Sequence, residues 1–141
     1  TFAVKSNGSN KLSGVVDIWG AVGSSFIVKV GVADSTASVR TLANYTYPLT
    51  LNTVDTADWT TNYSLGNGGY VSYYVEDSNY YNGKPHVYLS FNGSGLSDSK
   101  CFMISVTPAS GTVHMWNNSG IFIGAAAASS PLRRATTPRV L

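Results

Sequence analysis

The chain has 141 residues, of which 43% are apolar, 12% aromatic and only 11% charged, with a formal net charge of +2. The length suits one domain with a self-sufficient core, and the apolar share excludes a disordered chain. Residues 1–132 hold six basic and seven acidic side chains, while Arg133, Arg134 and Arg139 put the basicity in the last nine positions; a near-neutral body argues against a folded nucleic-acid groove.

One glutamate, Glu76, occurs in the whole sequence. Exposed helix faces are usually built from Glu, Lys, Arg and Ala, whereas sheets accept Thr, Ser, Asn, Val and Tyr. The composition therefore predicts an all-β domain. Residues 12–19 and 25–33 read as a strand pair joined by a hairpin loop at Gly20–Ser24, with Phe26, Val28, Val30 and Val32 alternating against Ile27, Lys29 and Gly31. Residues 37–51 predict one or two short strands, which Pro48 pushes towards a sheet edge. From Asn52 to Gly69 the chain turns polar and reads as the longest loop.

Further strands are expected at Tyr70–Glu76, His86–Phe91, Lys100–Thr107, Thr112–Trp116 and Gly120–Ala125. Pro108 and Gly111 predict a hairpin turn between the third and fourth of these, which would bring Val113 and Met115 beside Phe102, Ile104 and Val106. The expectation is an antiparallel two-sheet sandwich or jelly roll of eight to ten short strands over residues 1–128, without significant helix. Residues 129–141, with two prolines and three arginines, read as a mobile or partner-dependent tail.

Chemistry-bearing motifs are sparse. His86 and His114 lack metal-ligand spacing and read as strand histidines facing solvent or a hydroxyl. The single cysteine, Cys101, permits no intramolecular disulfide and reads as a small core residue. Glu76 and Asp77 are sequence neighbours facing opposite ways on a strand, and Asp55 and Asp58 sit in the polar stretch, so no paired carboxylates of a glycosidase stand out. No catalytic or metal-binding residue is assigned. Asp77, Asn79 and Asn82 could supply a calcium loop, although their spacing suits an Asx-rich turn better. Sequons at Asn7, Asn44, Asn62, Asn92 and Asn117 would be glycan acceptors in a secreted eukaryotic protein, but a chain this rich in Asn, Ser and Thr also forms them by chance.

The aromatic cluster is the main functional signal. Trp59, Tyr63, Tyr70, Tyr74, Tyr80 and Tyr81 fall close together, and alternation against Val71, Tyr73 and Val75 would display Tyr70 and Tyr74. Displayed Tyr and Trp suit a protein interface or stacking on sugar rings; cross-strand aromatic pairing that only stabilises the sheet is the alternative. No apolar run is long enough to span a bilayer, and nucleic acid is expected at most weakly, through Arg133, Arg134 and Arg139.

The Ser/Thr/Gly/Asn-rich strands, the stretch Cys101-Phe-Met-Ile-Ser-Val-Thr-Pro-Ala-Ser-Gly-Thr-Val113 and the Met-less opening Thr1-Phe-Ala-Val-Lys, expected of a fragment or processed product, give the body a texture similar to projecting surface domains of small icosahedral RNA-virus coat proteins. That resemblance implies a non-catalytic capsid domain on the virion surface that self-associates as a homo-oligomer and attaches to a host. The basic tail departs from it, since the RNA-binding arm of such proteins usually precedes the shell domain. A secreted carbohydrate-binding module or lectin-like adhesin is the other reading, and a small glycosidase-like enzyme a third.

Overall fold

The computed structural model describes residues 2–6, 13–35, 42–55, 58–97, 100–109, 111–117, 120–124, 133–134 and 139–140. They form twelve strands: β1 (Phe2–Ser6), β2 (Ser13–Trp19), β3 (Phe26–Ser35), β4 (Leu42–Asn52), β5 (Asp58–Gly66), β6 (Gly69–Glu76), β7 (His86–Asn92), β8 (Lys100–Pro108), β9 (His114–Asn117), β10 (Gly120–Gly124), β11 (Arg133–Arg134) and β12 (Arg139–Val140). A back sheet runs β11-β10-β1-β8-β3-β4 and a front sheet runs β12-β9-β2-β7-β6-β5, with every pairing antiparallel. Among the described residues there is no helix, hence none long and apolar enough to cross a membrane.

The expected alternation sets the core. Phe26, Val28, Val30 and Val32 of β3, with Phe102 and Ile104 of β8, meet Val16, Ile18, Val71, Val75, Val87, Leu89, Phe91 and Met115 of the front sheet in one buried cluster. Each such side chain contributes about 1.5–3 kcal/mol when fully withdrawn from water, so these faces hold the two sheets together. β4 takes the edge place that Pro48 implied.

Both expected hairpins are instead crossings between sheets. β2 lies in the front sheet and β3 in the back; β8 lies in the back sheet and β9 in the front. The turns do reverse the chain, and Gly111 takes the left-handed conformation (φ 72°). But β8 is already hydrogen-bonded to β1 on one side and β3 on the other, which leaves no edge for β9. Val113 and Met115 therefore meet Phe102 and Ile104 across the core instead of beside them. The β2–β3 crossing is anchored by Gly20 N–H on the Pro85 carbonyl (3.0 Å) and by Phe26 N–H on Thr53 Oγ1 (3.0 Å).

The polar stretch read as a loop contains β5. It is an edge strand, so most of its side chains meet water, and a bulge between Thr60 and Tyr63, with Asn62 at φ 53°, breaks the period that would have revealed it. Asn67 and Gly68, both at positive φ (57° and 82°), close the tight β5–β6 hairpin. The basic stretch near the C-terminus supplies β11 on β10 and β12 on β9.

Candidate functional site

Pairing register places five large aromatics of the front sheet, Trp19, Trp59, Tyr74, Tyr88 and Trp116, in rows on its outer face. Trp116 of β9 lies opposite Asp17 of β2, Asp17 opposite Tyr88 of β7, Tyr88 opposite Tyr74 of β6, and Tyr74 opposite Trp59 of β5. Four inter-strand gaps of about 4.8 Å make this row roughly 19 Å long. The members on β2, β6, β7 and β9 alternate with core residues of their own strands, which is why they point outward: Val16 and Ile18 flank Asp17, Tyr73 and Val75 flank Tyr74, Val87 and Leu89 flank Tyr88, and Met115 precedes Trp116. Trp59, on the edge strand, follows from its pairing with Tyr74. Trp59 is 61% exposed and Trp116 43%. The Trp59 and Tyr74 rings lie 6.1 Å apart at 51°. Beyond this row, Ser72 and Ser90 form a small hydroxyl row, followed by Asn92 and the 40%-exposed Tyr70.

On the other side of the aromatic row, His114, Trp19, His86 and Glu76 pair in sequence across the strands. Here a polar cluster is built into the sheet surface. His86 Nδ1 lies 2.9 Å from Glu76 Oε1, and His86 Nε2 contacts Asp17 Oδ1. Each ring nitrogen of His86 thus faces a carboxylate oxygen. Asn79 Nδ2 donates to Glu76 Oε1 (2.7 Å) and the Tyr74 hydroxyl to Glu76 Oε2 (3.2 Å). The nearby Glu76 carboxylate raises the Tyr74 phenol above its ordinary value, because it disfavours the phenolate; desolvation and the hydrogen bond add to this. Trp19 lies flat on His86, with centroids 3.7 Å apart and planes within 9°. The two carboxylates thus hold the imidazole, and the imidazole seats Trp19.

The β6–β7 loop rises at this end of the face. Asn79 Oδ1 accepts from Tyr81 N–H and Asn82 Oδ1 from Lys84 N–H, both at 3.0 Å, and these Asx turns leave Tyr80 and Tyr81 92% and 91% exposed. Their rings meet edge to face at 5.2 Å.

Of the residues singled out from the sequence, Trp59, Tyr70 and Tyr74 share the outer face, and Tyr80 and Tyr81 stand on the adjoining loop. Tyr63 does not join them. It packs against the core, and its hydroxyl donates to the Pro48 carbonyl (3.1 Å), tying β5 to β4 at the sandwich edge. Asp77 is exposed, apart from the Asn79 and Asn82 turns. His86, expected to face solvent or a hydroxyl, is buried between carboxylates because its strand neighbours supply them; His114 is exposed. Trp19, Tyr88 and Trp116 complete the face, and their parity against Ile18, Val87 and Met115 is the sequence signal that marks them. Cys101 is buried and in no disulfide, on the side of the back sheet away from the main core.

Asp17 and Glu76 are the carboxylates that the fold brings together, and each is committed to His86. Among the described residues no group of three or more His, Cys, Asp or Glu side chains is arranged to hold a metal ion. What the face offers chemically is aromatic area interleaved with hydroxyl, amide and carboxylate groups. No protein-family model matches the chain, and no curated protein or solved structure does either.

Proposed function

We propose that the domain is a non-catalytic recognition module that binds carbohydrate along the outer face of its front sheet. One observation carries this reading: all three tryptophans of the chain lie on that face, together with Tyr70, Tyr74 and Tyr88, and not in the core. Tryptophan on a solvated sheet gives up little by staying there only if something covers it when bound. Its ring stacks on the C–H faces of a sugar, and the intervening Ser72, Ser90, Asn92 and Tyr hydroxyl and amide groups answer the sugar hydroxyls. On the surface of a virion, as the coat-protein resemblance implies, the same face would serve attachment to host glycans.

The test is a glycan-array screen followed by calorimetric titration of the best oligosaccharide. Trp59→Ala and Trp116→Ala are each expected to weaken binding at least about tenfold, the loss of roughly 1.4 kcal/mol. Unchanged affinity in both variants, or no glycan bound at all, contradicts the reading. A discrete dimer or trimer that these substitutions dissolve into monomers would replace it with an assembly domain whose ligand is a second copy of the chain.

A further inference from the structure

Resting on the carbohydrate reading, we infer that the front face takes neutral glycans and turns away acidic ones, with Asp17 as the residue that sets this preference. Asp17 stands within the aromatic row, between Trp116 and Tyr88. Its Oδ1 is engaged by His86, yet its side chain remains 34% exposed, so the carboxylate reaches any ligand lying along the row. Glu76 adds a second carboxylate to the same cluster. With His86 protonated the cluster carries one net negative charge, and with it neutral, two; the sign is the same in either state.

No cation among the described side chains of that face offsets this. His114 is the other titratable group on it besides the tyrosines. Lys29 belongs to β3 of the back sheet, Lys100 of β8 is paired with Asp34, Lys84 stands with Asp77 on the β6–β7 loop at the edge of the face, and Arg139 of β12 is in register with the core residue Met115. A uronate or sulfate laid on the Tyr88–Tyr74 stretch would therefore meet like charge, with hydroxyl donors but no described cation along the row to offset it, a repulsion that selects by excluding. A neutral chain meets both donors and acceptors for its hydroxyls, the second oxygen of Asp17 among the acceptors.

The experiment titrates the whole chain with a neutral gluco-oligosaccharide and with an oligogalacturonate of equal length, at low and at high salt. The neutral oligomer is expected to bind at least about tenfold more tightly at low salt, and salt is expected to narrow the gap by screening the acidic oligomer's repulsion. Asp17→Asn keeps an acceptor for His86 while removing the charge, and is expected to narrow the gap several-fold at low salt. Ser90→Lys, on the same face but outside the His86 cluster, should narrow it too, and it serves if Asp17→Asn fails to fold. Equal or tighter binding of the galacturonate, or a preference that neither substitution moves, overturns the inference and leaves the carbohydrate reading standing. If neither oligomer binds at either salt, the inference falls, while the carbohydrate reading is decided by the glycan array.

Discussion

The two outer faces of the sandwich are built on opposite plans. In the middle of the back sheet, Ala33, Cys101 and Met103 point away from the main core and are nevertheless buried, at 0–1% exposure. There a side chain of any size is excluded at Gly31, where a Cβ would come within 2.0 Å of the Thr46 carbonyl oxygen. The front sheet shows its largest side chains to solvent and buries a charged cluster beneath Trp19. On the closed face, side-chain choice follows from space. On the open face Trp19 is seated on His86, but nothing in the fold asks for Trp59 or Trp116, so stability and recognition should separate between the two faces.

That separation can be broken experimentally. The largest effect is expected from Gly31→Ala: its methyl cannot coexist with the Thr46 backbone, so β4 must shift, at a cost of about 3 kcal/mol or more by urea denaturation. A near-neutral result would show that the back face is not closed there. Next is His86→Ala, which leaves two carboxylates facing each other without their shared partner. About 2–4 kcal/mol of stability should disappear, together with the ordered Trp19 environment seen by near-UV circular dichroism; an intact Trp19 signal would mean that the imidazole does not seat it.

Trp59→Ala and Trp116→Ala should each change stability by less than about 2 kcal/mol, the smaller loss at Trp59, since Trp59 is 61% exposed and Trp116 43%. A loss as large as that of His86→Ala would mark them as structural. The smallest effect concerns Tyr74. Replacing Glu76 by Gln removes the negative charge that opposes the phenolate, so Tyr74 should ionise at lower pH, nearer the ordinary tyrosine value. Ultraviolet difference titration reads this directly, and an unmoved titration would mean that Glu76 does not govern the phenol.

Strand faces were legible where a strand has a clean core side. Val71, Tyr73 and Val75 were enough to turn Tyr70 and Tyr74 outward. β5 was not legible, because an edge strand has little apolar alternation and the Asn62 bulge interrupts what there is. Turn chemistry at Pro108–Gly111 marked a reversal of direction, but partner choice depends on which edges other strands leave open, and the neighbours of β8 come from distant parts of the chain. The His86 cluster was hidden for the same reason. Its Asp17 partner lies 69 positions away and is brought in only by β2–β7 register. Trp19 and Trp116 were not singled out from the sequence, although parity with Ile18 and Met115 would have turned them outward.

The most direct measurement is on the Trp59→Ala/Trp116→Ala double variant, comparing its urea denaturation and its oligosaccharide titration with those of the native chain. The expected result is a denaturation midpoint close to native with binding abolished. A variant that unfolds far more easily, or that binds the oligosaccharide as well as the native chain does, would contradict the assignment of the open face to recognition.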